Sequence, residues 1–335
     1  ELEKNPDVKA IIGPISESNA IIAANSLQGK NIPLLIPSAS LDEITSLGNN
    51  IYQLNSNLST RGKIAAKYIT KILELDSIAV LAPADNFGRS LTDAFIKEVD
   101  QLGKKVVGVE WYSGLPTDLK RQFTNLRKIA FDLEQEDNNY DEYLGMALDS
   151  LDFLFELSDD ELFDIPDDED EKLTASDSSK IKLNTIQAIY SPVHPEHLAY
   201  IGTQFPMYYF DTQIVGNDSW KNLDILNQSN IGPHMEGLSI ISSNYSTNLK
   251  DQIYNQAFDC TQLIYSIINE QDNGRLALAK RLSNLSNFNG ESHNVRFSDS
   301  NLNTSLQVLR FEDNQIVRTG YFVGDSLISL ENIAP

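Results

Sequence analysis

The amino-acid sequence predicts an α/β protein built on parallel, doubly wound sheets and divided into two lobes. Three observations lead there. Short apolar, β-branched runs alternate with amphipathic stretches over most of the chain, the rhythm of parallel strands joined by crossover helices. A length of 335 residues exceeds what one ordinary core fills, so two units of domain size are expected. Towards the end the rhythm changes: Leu306–Phe311 and Gln315–Phe322 read as strands around an Asp313-Asn314 turn, a hairpin pattern.

Taken in order, Val8–Ile12 reads as a buried strand, Gly13-Pro14 as a turn, and Ser16 as the start of a helix. A second strand, Ile32–Ile36, runs into Pro37-Ser38-Ala39-Ser40. Such a strand-helix-strand unit is parallel, and its ligand-facing edge is the carboxyl end of its strands. That edge carries Ile15-Ser16-Glu17 and Ser38-Ala39-Ser40. A helical turn at Leu41–Ile44 and a brief strand, Ile51–Leu54, follow. The next helix shows one apolar stripe of Ile64, Ala65, Tyr68, Ile69, Ile72 and Leu73. Strand Ile78–Leu81 leads through Asp85-Asn86-Phe87-Gly88 into a helix that Gly103 stops. Strand Val106–Trp111 and a helix from Asp118 to Phe131 complete this stretch.

The net charge of −22 is local. Residues 132–177 hold nineteen Asp and Glu against one Lys, which leaves the remainder of the chain near neutrality. No basic stripe offsets it, so nucleic acid is not an expected partner. Residues 132–180 read as an acidic insertion, helical from Tyr143 to Phe155 and a solvated loop from Asp164 to Ser179. The run Asp167–Glu171 lacks the glycine and terminal glutamate of a calcium loop. No metal or cofactor is expected. No run approaches the roughly 18 to 20 apolar residues of a membrane span, so no membrane insertion is expected. The first residues lack the basic start and apolar core of a signal peptide. Cys260, the only cysteine, sits in an apolar helical stretch and reads as a small buried hydrophobe.

Beyond the insertion come strand Ile186–Tyr190, helix Pro195–Phe205, strand Thr212–Gly216, the loop Asn217-Asp218-Ser219-Trp220 and strand Leu238–Ser242. Helices at Gln252–Asn269 and Leu276–Leu285 and a short strand at Val295–Phe297 precede the closing hairpin.

An ordered set of motifs now carries a resemblance. It comprises Ala10-Ile11-Ile12-Gly13-Pro14 with Ser16, Ile32–Ser40, Asp85-Asn86-Phe87-Gly88-Arg89, Ala188-Ile189-Tyr190 with Pro195-Glu196, Ile214–Trp220, Glu236-Gly237, Ala257-Phe258-Asp259 and Phe288-Asn289-Gly290. In this order and spacing the chain resembles the type I periplasmic binding proteins of the branched-chain amino-acid (Leu/Ile/Val) group, the solute receptors of ABC importers. The resemblance implies two α/β lobes joined by three crossing strands that close on a small solute by hinge motion. Lobe I would comprise residues 1–54 and 244–290, and lobe II residues 55–243 and 298–325. Set against the family, lobe I lacks its first strands, and the acidic insertion has no counterpart.

The same resemblance places the solute. Ser38 and Ser40 stand where the family binds it with a backbone group and a hydroxyl; the plainer reading is that they cap the following turn. Asp218 matches the carboxylate that takes an ammonium group, although Asn-Asp-Ser is also ordinary turn chemistry. Phe87 stands where the family has Tyr against the solute, with a core residue as the alternative. Ser16 joins the same rim, and Tyr190 and His194 are further candidates. Glu17 is the discordant residue: it suits the positive end of a helix dipole, yet it would repel a solute carboxylate. If it faces the cleft, the solute is not a simple α-amino acid or carries a second positive group.

No catalytic motif is present: there is no nucleophile elbow or phosphate loop, and the four His residues lack zincin spacing. The expected function is a non-enzymatic, periplasmic or extracytoplasmic solute-binding protein that takes an amino acid or similar small polar solute to a membrane permease. The alternative is a sensing or protein-interaction module on the same fold with a regulatory protein partner.

Overall fold

The computed structural model describes residues 2–137, 182–247, 249–268, 272–297, 299 and 301–330. Leu34, Leu35 and Ile36 form a strand with no exposed residue, as a parallel strand covered on both faces requires. This strand, β2 (Leu34–Ile36), lies between β1 (Ile11–Ile12) and β3 (Ile51–Gln53), both parallel to it. Alternation decides which layer each side chain meets. Leu34, Ile36 and Ile51 pack on α1 (Glu17–Ser26) through Ala20, Ala24 and Leu27. Leu35 and Tyr52 face the other way, towards Cys260, Leu263 and Leu282.

The larger sheet grows by the same logic. Helix α2 (Leu58–Lys67) continues into a π-helical turn at Tyr68–Ile72. Then β4 (Ser77–Pro83), α3 (Asn86–Gln101), β5 (Lys105–Tyr112) and α4 (Lys120–Asp137) alternate. After residue 181 come β6 (Ala188–Ser191), α5 (Leu198–Gln204), β7 (Gln213–Gly216), the single turn α6 (Leu223–Leu226) and β8 (Ser239–Ser242). Helices α7 (Leu249–Ile267) and α8 (Arg275–Ser283) follow, then the ribbon β9 (Phe288–Asn289) and β10 (Asn294–Val295). The chain ends in β11 (Gln307–Glu312), β12 (Gln315–Val323) and β13 (Ser326–Ser329). Among the described residues the second sheet runs β13-β12-β11-β8-β7-β6-β4-β5. Its β5-β4-β6-β7-β8 part is parallel, as expected. Its β8-β11-β12-β13 part is antiparallel; β11, β12 and β13 follow one another through tight turns that cannot make a crossover. Asp313 and Asn314 both take positive φ, 51° and 59°, the geometry of the expected two-residue hairpin turn.

Ile78, Val80 and Ala82 of β4 pack on Ile64 and Phe95 of α2 and α3, whereas Ala79 and Leu81 face Phe123, Leu126 and Trp220. Differences from the sequence reading are mostly boundaries: β1 holds two residues, not five, and α4 runs six residues past Phe131. The helix expected at Tyr143–Phe155 and the loop at Asp164–Ser179 lie outside the described residues. No helix among the described residues is long and apolar enough to cross a membrane.

The chain leaves the smaller sheet at residues 54–57, leaves the larger one at 243–247 for the helices that pack under Leu35 and Tyr52, and re-enters the larger one at 301–306; these are three passages between the packed units. Buried Asn303 ties the first and third passages together: its amide donates to Leu54 O (2.8 Å) and Asn294 O (3.0 Å), and its backbone N–H donates to Gln53 O (2.9 Å). Two motifs of the resemblance serve packing. Asp259 accepts the backbone N–H groups of Glu291 (2.6 Å), Ser292 (3.0 Å) and His293 (3.1 Å), and a Cβ on Gly290 would lie 2.4 Å from its carboxylate. Cys260 beside it is buried, and desolvation pushes its thiol pKa up, which suppresses thiolate chemistry.

Helices α2 and α3 meet backbone to backbone at Gly62, where a Cβ would sit 2.2 Å from Leu91 O. Gly62→Ala is therefore expected to destabilise the protein by about 1–3 kcal/mol in urea denaturation. An unchanged midpoint would show that the two helices can separate freely.

Candidate functional site

The carboxyl ends of β1, β2, β7 and β8 converge on one cleft of about 970 Å³. From the smaller sheet it is lined by Ile15, Glu17, Ser38 and Ser40, and from the larger by Arg61, Asp218, Leu223 and Asp224. The second passage and α7 add Ser243, Asn244, Gln252 and Ile253.

Local hydrogen bonding fixes the Ser38–Ser40 turn. Its carbonyls are drawn to the β3–α2 segment: Ser38 O accepts from the Asn55 amide (2.6 Å), Ala39 O from the Gln53 amide (2.9 Å) and Ser40 O from Leu58 N (3.0 Å). The Ser38 hydroxyl donates to Ile15 O (2.5 Å), so it joins β2 to the start of α1. Ser40 donates both its backbone N–H (3.0 Å) and its hydroxyl (3.1 Å) to a single oxygen, Oε1 of Glu17.

The opposite wall is set by Asn217, whose side chain pairs with both backbone groups of Val193 (3.0 and 3.1 Å). Gly216 completes it, since a Cβ there would meet the buried Trp220 ring at 2.2 Å. Asp218 then begins a 3-10 turn, Asp218–Lys221. Its Oδ2 accepts from Arg61 (2.5 Å), while its Oδ1 accepts from the Ser242 hydroxyl (2.5 Å) and Ser243 N (3.2 Å) and lies 3.5 Å from Lys221 Nζ. Arg61 also donates to Ser56 O (3.0 Å) and Asn55 Oδ1 (2.7 Å). Lys221 donates to Asn244 O (3.1 Å) and Oδ1 (2.9 Å).

Burial by itself would raise the Asp218 pKa, but Arg61, Lys221 and the serine donors outweigh it and hold it at about 2. Lys221 is 3% exposed; burial lowers its pKa to about 8, with Arg61 adding to the effect and Asp218 opposing it.

The structure thus brings Glu17, Ser38, Ser40 and Asp218 to one cleft and sets the other sequence candidates apart. Ser16 stands at the N-cap position of α1 without a side-chain capping bond, its hydroxyl 3.0 Å from that of Ser18. Phe87 does not line the cleft; it packs against His194 with ring centroids 4.5 Å apart. His194 in turn pairs with Asp85 (2.6 Å), the cap of α3, beside a separate pocket of about 360 Å³. Tyr190 is a correction as a contact residue. It is 1% exposed and stacks on Phe95 at 4.4 Å, because β6 is covered on both faces. It lies beneath the cleft, close enough to Arg61 and Asp218 to feel their charges. Sequence reasoning missed Arg61 and Lys221. For Arg61 a signal existed: it continues the apolar stripe of Ile64, Ala65 and Tyr68, where a lone charge needs a buried partner. Among the described residues no cluster of His, Cys, Asp or Glu is placed to hold a metal.

Residues 1–131 match the family described as periplasmic binding protein. The fold is that of a type I periplasmic binding protein. Among solved structures, a leucine-binding protein of Thermotoga maritima superposes with a TM-score of 0.59 at 15% identity, covering 96% of this chain and 82% of the other. A solute-binding protein from R. palustris in complex with 4-hydroxybenzoate superposes with a TM-score of 0.58 at 13% identity, over 97% and 81%. In sequence, a leucine-, isoleucine-, valine-, threonine- and alanine-binding protein of Pseudomonas aeruginosa is 26% identical over 127 residues, 38% of this chain. The chain spans about a third of the length of the curated relatives it matches (34% for that protein). The periplasmic-binding-protein resemblance read from the motif order is the one the comparisons return.

The Asp218 pKa carries a stability signature. The unfolded carboxyl titrates near 3.8 and the folded one at about 2, so between them the unfolded chain binds more protons and stability rises with pH. The contribution is complete above the unfolded value and is lost as pH falls through the folded one. Asp218→Asn cannot titrate, so the wild-type advantage over it in urea denaturation should shrink by about 2 kcal/mol between about pH 5 and pH 2. A pH-independent advantage would contradict the assignment.

Proposed function

We propose that this chain is a non-enzymatic solute-binding protein that captures a small polar solute in the cleft between the two sheets and hands it to the permease of an ABC importer. The observation that carries this reading is the cleft: it sits at the strand ends of two separate sheets and takes polar side chains from each. The two units act as lobes, comprising residues 1–54 with 244–290 and residues 55–243 with 298–325. The three passages are short enough for small φ/ψ changes in them to close one unit on the other. A receptor of this kind works outside the cytoplasm, where it meets solute before the permease does. The names of the relatives point to amino acids and to an aromatic acid as solute classes for the fold. Glu17, Ser38, Ser40 and Asp218 are among the polar groups that line the cleft, together with Arg61, Lys221 and Asp224, and binding needs no cofactor or metal.

The test is a thermal-shift screen of the purified protein against amino acids, amines, sugars and organic acids. A solute at about a hundred times its Kd stabilises the folded state by about 2.7 kcal/mol, which raises Tm measurably. Ile15→Trp and Leu223→Trp, from opposite walls, should each abolish the shift and leave the Tm of the free protein near wild type. If no compound shifts Tm, or if both variants bind normally, the cleft is not a solute site.

A further inference from the structure

The cleft carries an arrangement that bears on what it accepts, and the inference rests on the solute-binding reading above. Ser40 presents an N–H and a hydroxyl to the cleft because the turn's carbonyls are held on its far side by Gln53, Asn55 and Leu58. Two converging donors at a strand end make a seat for a carboxylate. That seat is filled by the chain itself, with both donors on Glu17 Oε1. The occupant is tethered, so it competes at an effective concentration that a free solute carboxylate must exceed.

The seat for a cation is filled in the same way. Asp218 would attract an ammonium group, but Arg61 takes one of its oxygens, while Ser242, Ser243 and Lys221 surround the other. Both ends of a zwitterion are therefore already represented by protein groups. The charged residues lining the cleft are Glu17, Asp218 and Asp224 against Arg61 and Lys221, an excess of one negative charge. Among the described residues Glu17 and Asp224 form no ion pair. The attraction left over is for a cation.

We propose that Glu17 is a built-in occupant of the carboxylate seat, and that the cleft takes an organic cation with no carboxylate beside its charge. Such a solute pairs with Glu17, whose second oxygen is not used by Ser40, and leaves the Ser40 contact intact. An α-amino acid must displace Glu17 and bring its own negative charge into a negative cleft, two costs that the corresponding α-amide avoids.

Isothermal titration of the full chain at pH 7 with the L-amino acids and their α-amides tests this. For the side chain that fits, the amide should bind wild type at least about tenfold more tightly than the acid. Glu17→Ser should reverse that order, because it vacates Ser40 and removes the negative charge. Glu17→Gln should weaken the amide without admitting the acid, since its carbonyl still accepts from Ser40. Glu17 is exposed at the start of α1, and melting curves of each variant check that the fold is kept. The proposal is overturned if acids bind wild type as tightly as amides, if Glu17→Ser leaves the preference unchanged, or if no acid or amide binds either protein. In that last case, a Tm shift with another solute class leaves the solute-binding reading standing, and the absence of any shift removes both.

Discussion

The ion pair of Arg61 and Asp218 is the interaction on which the rest of this site depends. Arg61 stands in the first turn of α2, immediately after the chain leaves the smaller sheet, and Asp218 stands where β7 ends in the larger one. Neither side chain has a cheap alternative. An arginine on the buried stripe of a helix, or an aspartate beside a lysine that is 3% exposed, is costly without its partner, and removing one partner of a buried pair typically costs about 3–5 kcal/mol. From this pair hydrogen bonds run outward in both directions. One branch passes through Asn55 to the Ser38 carbonyl, and the Ser38 hydroxyl extends it to the start of α1. The other passes through Lys221 to Asn244 in the second passage. The cleft walls are therefore positioned by one polar network.

That construction has a consequence for recognition. The groups that would greet a zwitterion are the same groups that hold the walls in place. Specificity then comes from what the network leaves unsatisfied, as much as from what it offers. Here the remainder is negative, with Glu17 lining the cleft from the smaller sheet's side and Asp224 from the larger's. A fold shared with proteins named for leucine and for an aromatic acid can carry different cleft linings, because fold and site are separable.

Much of the fold is legible in the sequence. The unit from Ile11 to Ile36, the hairpin at Asp313-Asn314 and the stop at Gly103 each follow from apolar runs and turn chemistry that need no distant partner. The antiparallel addition of β11 to β13 beside β8 is less legible, since pairing across more than sixty residues leaves no local trace. The site divides similarly. Ser38, Ser40, Glu17 and Asp218 sit at strand ends, where topology puts ligands, so their positions can be read from the chain. Phe87 and Tyr190 look equivalent to them in sequence, yet burial of β6 and the packing of Phe87 against His194 take both away from the cleft. Arg61 and Lys221 escape because their role is defined by a partner 157 residues away in one case and by a backbone passage in the other.

A double-mutant cycle on Arg61 and Asp218 tests the central claim most directly. Stabilities of wild type, Arg61→Met, Asp218→Asn and the double variant would be measured by urea denaturation at pH 7. The network described here predicts a coupling energy of about 2 kcal/mol, with the double variant more stable than the two single losses imply. Additivity within about 0.5 kcal/mol would mean that the two side chains do not act together, and that the cleft walls are held by something else.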